Sequence, residues 1–365
     1  MAGSTFGTLF SITTFGESHG EALGVVIDGC PAGLTLTPLD IQAFLDRRKP
    51  GQSAISTPRK EADAVQILSG VFEGKTTGTP IALLVPNTSQ RSSDYSQIAN
   101  CYRPGHADYT YDTKYGFRDY RGETIGRVAA GAIASKILNE MGIHILAYTR
   151  SIGPVTISMD QFNEEAVRNT ATCMPDYSAD EQALTYLQEC MHRQDSAGGV
   201  IECQVTGVPA GIGDPVFEKL DANLSKAVMS IGAVKAVEIG DGIAVSKSCG
   251  SENNDHFEIR DGRIVKKTNH AGGILGGISD GSTIVLRAHV KPTPSIFSEQ
   301  DTVNNQREKI KIAIRGRHDP VIVPRAVVVV ESMIAITLLD EMMKNMSSRL
   351  NDLKTYYAIL KDESC

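Results

Sequence analysis

The chain predicts a mixed fold of helices and strands built as one large domain, and three observations point there. Short apolar runs bounded by glycine and proline recur between helical segments along the whole length. No stretch rich in Pro, Ser or charge divides the chain, so residues 1–365 read as a single domain. With 365 residues and 41% hydrophobic content, there is enough apolar side chain for a large buried core.

Each element has its own signals. Residues 8–14 and Ala22–Asp28 read as strands that form a hairpin-like start around Gly16-Glu17-Ser18-His19-Gly20. A helix follows with clear punctuation: Thr37 caps it, Pro38 suits its first turn, Asp40 favours its positive end, Arg47, Arg48 and Lys49 complement its negative end, and Pro50 stops it. Residues 81–85 form a buried strand. Residues 87–122 read as a long polar loop, and a loop of that length is functional or disordered; its aromatics, Tyr102, Tyr109, Tyr111, Tyr115, Phe117 and Tyr120, favour order. Residues 124–141 read as an Ala-rich helix closed by Gly142. Strands follow at 143–152 and 200–208, with a helical stretch at 180–192 between them. A helix at 217–230 precedes strands at Val234–Ile239, 243–246 and 281–290. The apolar run 326–339 is interrupted by Glu331 and too short to span a bilayer, so it reads as a buried helix.

Composition narrows the function. Lys and Arg number 36 against 43 Asp and Glu, a formal net charge of -7, which argues against a general nucleic-acid binder, whose domain is usually basic. The cations are gathered, however: Arg47, Arg48, Lys49, Arg59 and Lys60 fall close together, as do Arg103, Lys114, Arg118, Arg121 and Arg127, and later Arg315, Arg317 and Arg325. An acidic chain that concentrates cations around histidines suits a small polyanion, although the 47–60 group alone also suits a solvated surface. The 7 cysteines, an odd number with no Cys-x-x-Cys pair, suggest neither a disulfide framework nor a zinc site, and fit reduced thiols. The N-terminus lacks the charged and apolar regions of a signal peptide. The expectation is a cytoplasmic protein without a metal that meets neither nucleic acid nor membrane.

Arg103-Pro104-Gly105-His106-Ala107-Asp108 carries the most chemistry. It puts a cation, a rigid turn, a titratable base and a carboxylate within one short loop. Two further histidines sit in similar settings, His19 in the early loop and His318 in Gly316-Arg317-His318-Asp319-Pro320. Any one of them suits a hydrogen-bonded turn; together they suggest a shared anionic ligand. Gly272-Gly273-Ile274-Leu275-Gly276-Gly277 lacks the placement of a dinucleotide fingerprint, no Walker loop is present, and the cluster alone reads as a turn. Lys291-Pro292-Thr293-Pro294-Ser295 combines a cation, hydroxyls and stiff backbone, which suits a phosphate or a flavin edge as well as a plain loop.

Taken jointly, these segments resemble chorismate synthase over nearly the whole chain. The resemblance rests on Thr14-Phe15-Gly16-Glu17-Ser18-His19-Gly20, Asp46-Arg47-Arg48 with Pro50-Gly51-Gln52-Ser53, the Arg103 to Asp108 loop, and Arg127-Val128-Ala129-Ala130-Gly131-Ala132. It continues through Gly207-Val208-Pro209-Ala210-Gly211, Val237-Glu238-Ile239-Gly240, Asn269-His270-Ala271-Gly272-Gly273-Ile274, Lys291-Pro292-Thr293 and Gly316-Arg317-His318-Asp319-Pro320. It implies an α+β fold, a β-α-β sandwich of mainly antiparallel sheets with packed helices, typically assembled as a homotetramer. It also implies a lyase of the shikimate pathway to aromatic amino acids that converts 5-enolpyruvylshikimate 3-phosphate to chorismate and phosphate with reduced FMN and no net redox change.

The family's residues carry over by position. The substrate's phosphate and carboxylates call for fixed cations, and the resemblance assigns Arg48, Arg103 and Arg317 to them. His19 would protonate or stabilise the reduced flavin, His106 would act as an acid toward the departing phosphate, and Asp319 would lie close to the flavin and help it accept the substrate proton. Arg48, Gly232, Ala233, Gly276, Lys291, Pro292, Thr293, Pro294, Ser295 and Arg317 would hold the cofactor, and Arg48 matches a position linked to NADPH, an indirect reductant. Asp108, which first reads as a relay partner, becomes a brace for its loop.

Three departures stand out. The family's Gly-Gly-Arg-Ser-Ser-x-Arg stretch is missing between Arg121-Gly122 and Glu123-Thr124; either this part of the site is absent or the sequence omits a mobile loop, which an intact mass away from 39.2 kDa would reveal. Ala54 stands where many members have Arg, and Gly232 where many have Asn. Two alternatives remain: an NADPH-dependent flavin reductase, which would consume NADPH without releasing phosphate, and a phosphometabolite-binding protein, which would bind no flavin.

Overall fold

The computed structural model describes residues 3–17, 20–49, 63–87, 100–116, 123–314 and 319–363. Alternating burial builds its first sheet. Strands β1 (Thr5–Phe6), β2 (Ser11–Gly16), β3 (Ala22–Asp28), β4 (Gln66–Ile67) and β5 (Ile81–Pro86) lie in the order β1-β2-β3-β5-β4, and every pairing is antiparallel. In β5 every second residue, Ile81, Leu83 and Val85, is buried, so one face meets the core.

The second sheet repeats the device. Strands β6 (His144–Ile152), β7 (Val155–Thr156), β8 (Gly199–Thr206), β9 (Val234–Ile239) and β10 (Ile284–Val290) lie in the order β9-β10-β8-β6-β7, again all antiparallel. In β10, Ile284, Leu286, Ala288 and Val290 point inward, while Val285, Arg287 and His289 are only partly covered.

Helices fill the space between the sheets. Those that matter here are α1 (Pro38–Arg48), α2 (Asp108–Tyr115), α3 (Glu123–Glu140), α4 (Tyr177–His192), α5 (Leu220–Met229), α6 (Val323–Asn345) and α7 (Leu350–Glu363). α3 lies on β2 and β3, α6 on β6 and β8, α5 on β9, and α3 meets α6 in the middle. The α+β sandwich expected from the resemblance is therefore present. From Val327 to Glu341 every residue of α6 is buried, as befits a helix apolar nearly all round. Its polar groups have partners: Glu331 takes both terminal nitrogens of Arg47 at 2.9 and 2.6 Å. Asp340 accepts the backbone N–H groups of Thr8 at 3.1 Å, Leu9 at 2.7 Å and Phe10 at 3.0 Å, and Lys344 Nζ lies 2.9 Å away. Among the described residues no helix is long and apolar enough to cross a membrane.

The start of α1 matches its punctuation. Asp40 accepts from the backbone N–H and the hydroxyl of Thr37, both at 2.8 Å, and from Lys136 of α3 at 2.7 Å. The strand expected at 8–14 is β2 at Ser11–Gly16, the one expected at 281–290 starts at Ile284, and three further expectations need correction. Residues 243–246 lie in a 3₁₀ turn, Gly242–Lys247, because Gly240 and Gly242 both take positive φ and Ile243 and Val245 face solvent, 67% and 43% exposed. The helix expected at 217–230 starts only at Leu220. The loop expected at 87–122 contains α2, capped at its end by Gly116 in the left-handed region.

Candidate active site

Gly105, at φ +69°, turns the backbone so that His106 N–H reaches the Arg103 carbonyl at 3.1 Å, and Asp108 then opens α2. The two buried side chains face each other: Arg103 Nε donates to Asp108 Oδ2 at 2.7 Å and Nη2 to Oδ1 at 2.8 Å. Arg103 Nη1 donates to Ser295 Oγ at 3.3 Å. His106 Nδ1 lies 2.9 Å from Asp108 Oδ1 and 3.0 Å from Arg103 Nη2, so these two contacts engage Nδ1 and not Nε2. Burial pushes the Asp108 carboxyl up, but hydrogen bonds and charge from Arg103 and His106 outweigh it and hold it well below the usual carboxylate range. The Arg103 fork is engaged by Asp108 and Ser295, which fixes the loop that carries His106.

The 291–295 loop packs directly on this turn. Lys291 Nζ donates to the Gly105 carbonyl, and Pro294 Cβ would lie 3.4 Å from a Cβ placed on Gly105. Lys291 N–H donates to the Ala233 carbonyl at 2.9 Å, with Ala233 held at φ +73°. Pro292 lies against Gly198, and Ser196 Oγ donates to the Thr293 carbonyl at 2.7 Å. Thr293 Oγ1 is buried with no hydrogen-bond partner, and a Cβ on Gly232 would meet open space. The order of the segments along the chain gave no hint of these contacts.

A second group gathers at the end of α1. Adjacent residues on a helix point about 100° apart, so Arg47 and Arg48 diverge. Arg48 is buried, with Nη2 2.5 Å from Asp63 Oδ2 and Nη1 3.3 Å from Thr124 Oγ1 of α3. One turn along α3, Arg127 donates to Ser230 Oγ at 2.6 Å, three residues before Ala233. Arg325 of α6 donates its Nε to the Arg48 carbonyl at 3.0 Å and its Nη1 to Asp319 Oδ2. Pro320 accepts from Ala197 N–H at 2.9 Å, next to Ser196. The structure thus strings Arg103, His106, the 291–295 loop, Gly232, Ala233, Arg48 and Asp319 along one end of the helical layer. Asp63, Thr124, Ser230 and Arg325 were not assigned from sequence; only Arg325 carried a signal, as part of a cation group.

Gly276 is placed apart. It sits at the tip of a small hairpin whose Gly277 carbonyl accepts Leu220 N–H at 2.8 Å, at the start of α5, whereas Gly232 follows its end, roughly 15 Å away by helical rise. His19, Arg317, His318, Ala54 and the junction at Gly122 lie outside the described residues. A separate cavity of about 640 Å³ lies between α1, β6 and α6 and touches Arg47, Lys49 and Arg325. Three of its cations have carboxylates: Arg47 has Glu331, Lys49 has Asp46 at 3.0 Å, and Arg325 has Asp319, while Arg168 also lines it.

The family description "Chorismate synthase" matches residues 10–343 of the chain. The chain belongs to the chorismate synthase family. The chorismate synthase of Lachnospira eligens is 63% identical over 98% of this chain and 100% of its own, and that of Lachnoclostridium phytofermentans 60% identical over the same shares. An archaeal chorismate synthase, from Methanocella arvoryzae, is 55% identical over 94% of this chain and 95% of its own. A solved chorismate synthase structure superposes with a TM-score of 0.75 at 30% identity, covering 98% of this chain and 99% of that one. Membership makes the chain an enzyme, a carbon-oxygen lyase of aromatic biosynthesis.

Proposed function

We propose that the chain converts 5-enolpyruvylshikimate 3-phosphate to chorismate and phosphate by anti-1,4-elimination with reduced FMN bound and no net redox change. The observation that carries this reading is the meeting of two loops, in which Lys291 and Ser295 hold the turn that presents His106. The proton and the phosphate leave from opposite ends of a conjugated unit, so the site must receive the proton in one place and neutralise a leaving anion in another. His106 Nε2 gives a proton to the leaving phosphate, and Asp108 steadies the ring through Nδ1. Asp319 holds a carboxylate where the proton departs, and Arg48 and Arg317 supply positive charge. The role of His19, protonating or stabilising the reduced flavin, rests on the resemblance alone.

The residues present fit the cofactor. The unpartnered Thr293 hydroxyl, the open space at Gly232 and the positive-φ turn at Ala233 lie side by side, which suits a flat polar ring system with backbone contacts. Gly232, Ala233 and Lys291 to Ser295 would hold it, and when bound it supplies the electron density that a weakly acidic C–H bond requires. Gly276, remote within the chain, would complete the site from a second copy of the homotetramer. NADPH serves only as an indirect reductant, and the enzyme works in the cytoplasm.

An anaerobic assay with reduced FMN and the enolpyruvyl substrate tests the proposal, with chorismate absorbance and released phosphate rising together. Steady NADPH consumption without chorismate would instead establish the flavin reductase. His106→Ala should lower turnover by about a hundredfold or more, the scale of a lost acid catalyst, with folding intact. Near-normal turnover would remove His106 from the mechanism. Light scattering should give four times the 39.2 kDa chain mass.

A further inference from the structure

We propose that Arg325 is a positioning residue that sets the Asp319 carboxylate relative to Arg48. The proposal rests on the catalytic reading of Asp319 given above. Arg325 is the third residue of α6, and its guanidinium joins two segments: Nη1 donates to Asp319 Oδ2 and Nε to the Arg48 carbonyl at 3.0 Å. Arg48 ends α1, and a cation suits the negative end of the helix. The side chain of Arg48 meanwhile turns away to Asp63 and Thr124. One planar fork therefore fixes both the Asp319 carboxylate, assigned to help the flavin accept the substrate proton, and the backbone at the end of α1 that carries Arg48.

The surroundings favour control by hydrogen bonding over control by packing. Asp319 is covered, with 8% of its side chain exposed, whereas Arg325 borders the 640 Å³ cavity beside Pro324 and Val328. With open space on one side, the bonds to Asp319 and to the Arg48 carbonyl orient the guanidinium. A lysine can satisfy one of these acceptors but cannot reproduce the two-pronged geometry. A purely structural role, capping α1, would lower stability and leave the chemical step alone.

The test uses Arg325→Met, Arg325→Lys, Asp319→Asn and the Arg325→Met/Asp319→Asn double variant, each assayed anaerobically with saturating reduced FMN. Thermal midpoint and binding of oxidised FMN, read by flavin fluorescence, are measured alongside. Arg325→Met should lower kcat about a hundredfold, the scale of a misplacement of about 1 Å, while KM moves less than about threefold. Arg325→Lys should recover part of that loss, and oxidised-FMN affinity should stay within about threefold of the parent in both. The double variant should be no slower than Asp319→Asn alone, because Arg325 acts through that carboxylate. Wild-type kcat in both Arg325→Met and Arg325→Lys, with Asp319→Asn inactive, overturns the inference and leaves the functional reading standing. Losses that multiply in the double variant overturn it too, as does a collapse of FMN affinity with kcat unchanged. Wild-type turnover in Asp319→Asn overturns both, by removing Asp319 from the reaction. Should Arg325→Met fail to fold, Arg325→Lys decides alone through the same kcat and KM split.

Discussion

Asp108 is the acceptor on which the His106 turn depends, since both Arg103 and His106 lean on its two oxygens. Its carboxyl is held below the ordinary value, about 3.9 in an unfolded chain, so the stabilisation it gives is complete above about pH 4 and fades as the pH falls toward the folded value. Asp108→Asn should therefore cost about 3 kcal/mol at neutral pH, because it leaves a buried guanidinium underpaired. The gap in thermal midpoint between parent and variant should begin to narrow below about pH 4. A gap that stays constant from pH 3 to pH 7 would show that the charge of Asp108 contributes nothing. Sequence placed Arg103, His106 and Asp108 together but not their division of labour. Ser295, which takes another donor of Arg103, is 192 positions away, and local spacing says nothing about such a partner.

Among the elements, the crossing of α3 and α6 leaves no spare room. A Cβ on Gly131 would lie 2.2 Å from Ser332 Cβ and 2.5 Å from Ser332 Cα, so the two helices meet with no room for a methyl group. Gly131→Ala should lower the stability measured in urea by about 2 kcal/mol, the usual scale of overpacking, even though alanine favours a helix. An unchanged midpoint would mean that the helices part at no cost. The well-punctuated elements were readable for physical reasons: α1 carries its caps and end charges in sequence, and α6 declares itself by an apolar run too long for a strand. The misses share a cause. α2 has little apolar periodicity to betray it, with only Asp108 buried, and residues 243–246 look strand-like only because their glycine neighbours' positive φ cannot be read from composition. Glu331 looked like an interruption of α6 until its partner, Arg47, was found 284 positions earlier.

Across the whole molecule, legibility came from the order of short motifs, while the site itself arises from tertiary contacts between segments that no local pattern links. The sandwich is also tied from end to end. Asp340, near the close of α6, holds the N–H groups of Thr8, Leu9 and Phe10 ahead of the first long strand. Asp340→Ala should speed hydrogen exchange at these three amides and cost about 3 kcal/mol, since orphaned N–H groups cost about 1–3 kcal/mol each; Asp340→Asn, which keeps one acceptor oxygen, should do less. Unchanged exchange there would mean the turn is held by something else. The same bond bears on how the chain is made. Residues 1–322 leave the ribosome before α6 begins, so the inner face of the second sheet, at β6 and β8, and the α6-facing side of α3 wait uncovered for the last stretch of synthesis. A nascent chain stalled before that point exposes apolar strands and has no anchor for its own N-terminal turn, which makes it a substrate for chaperones rather than a slower enzyme.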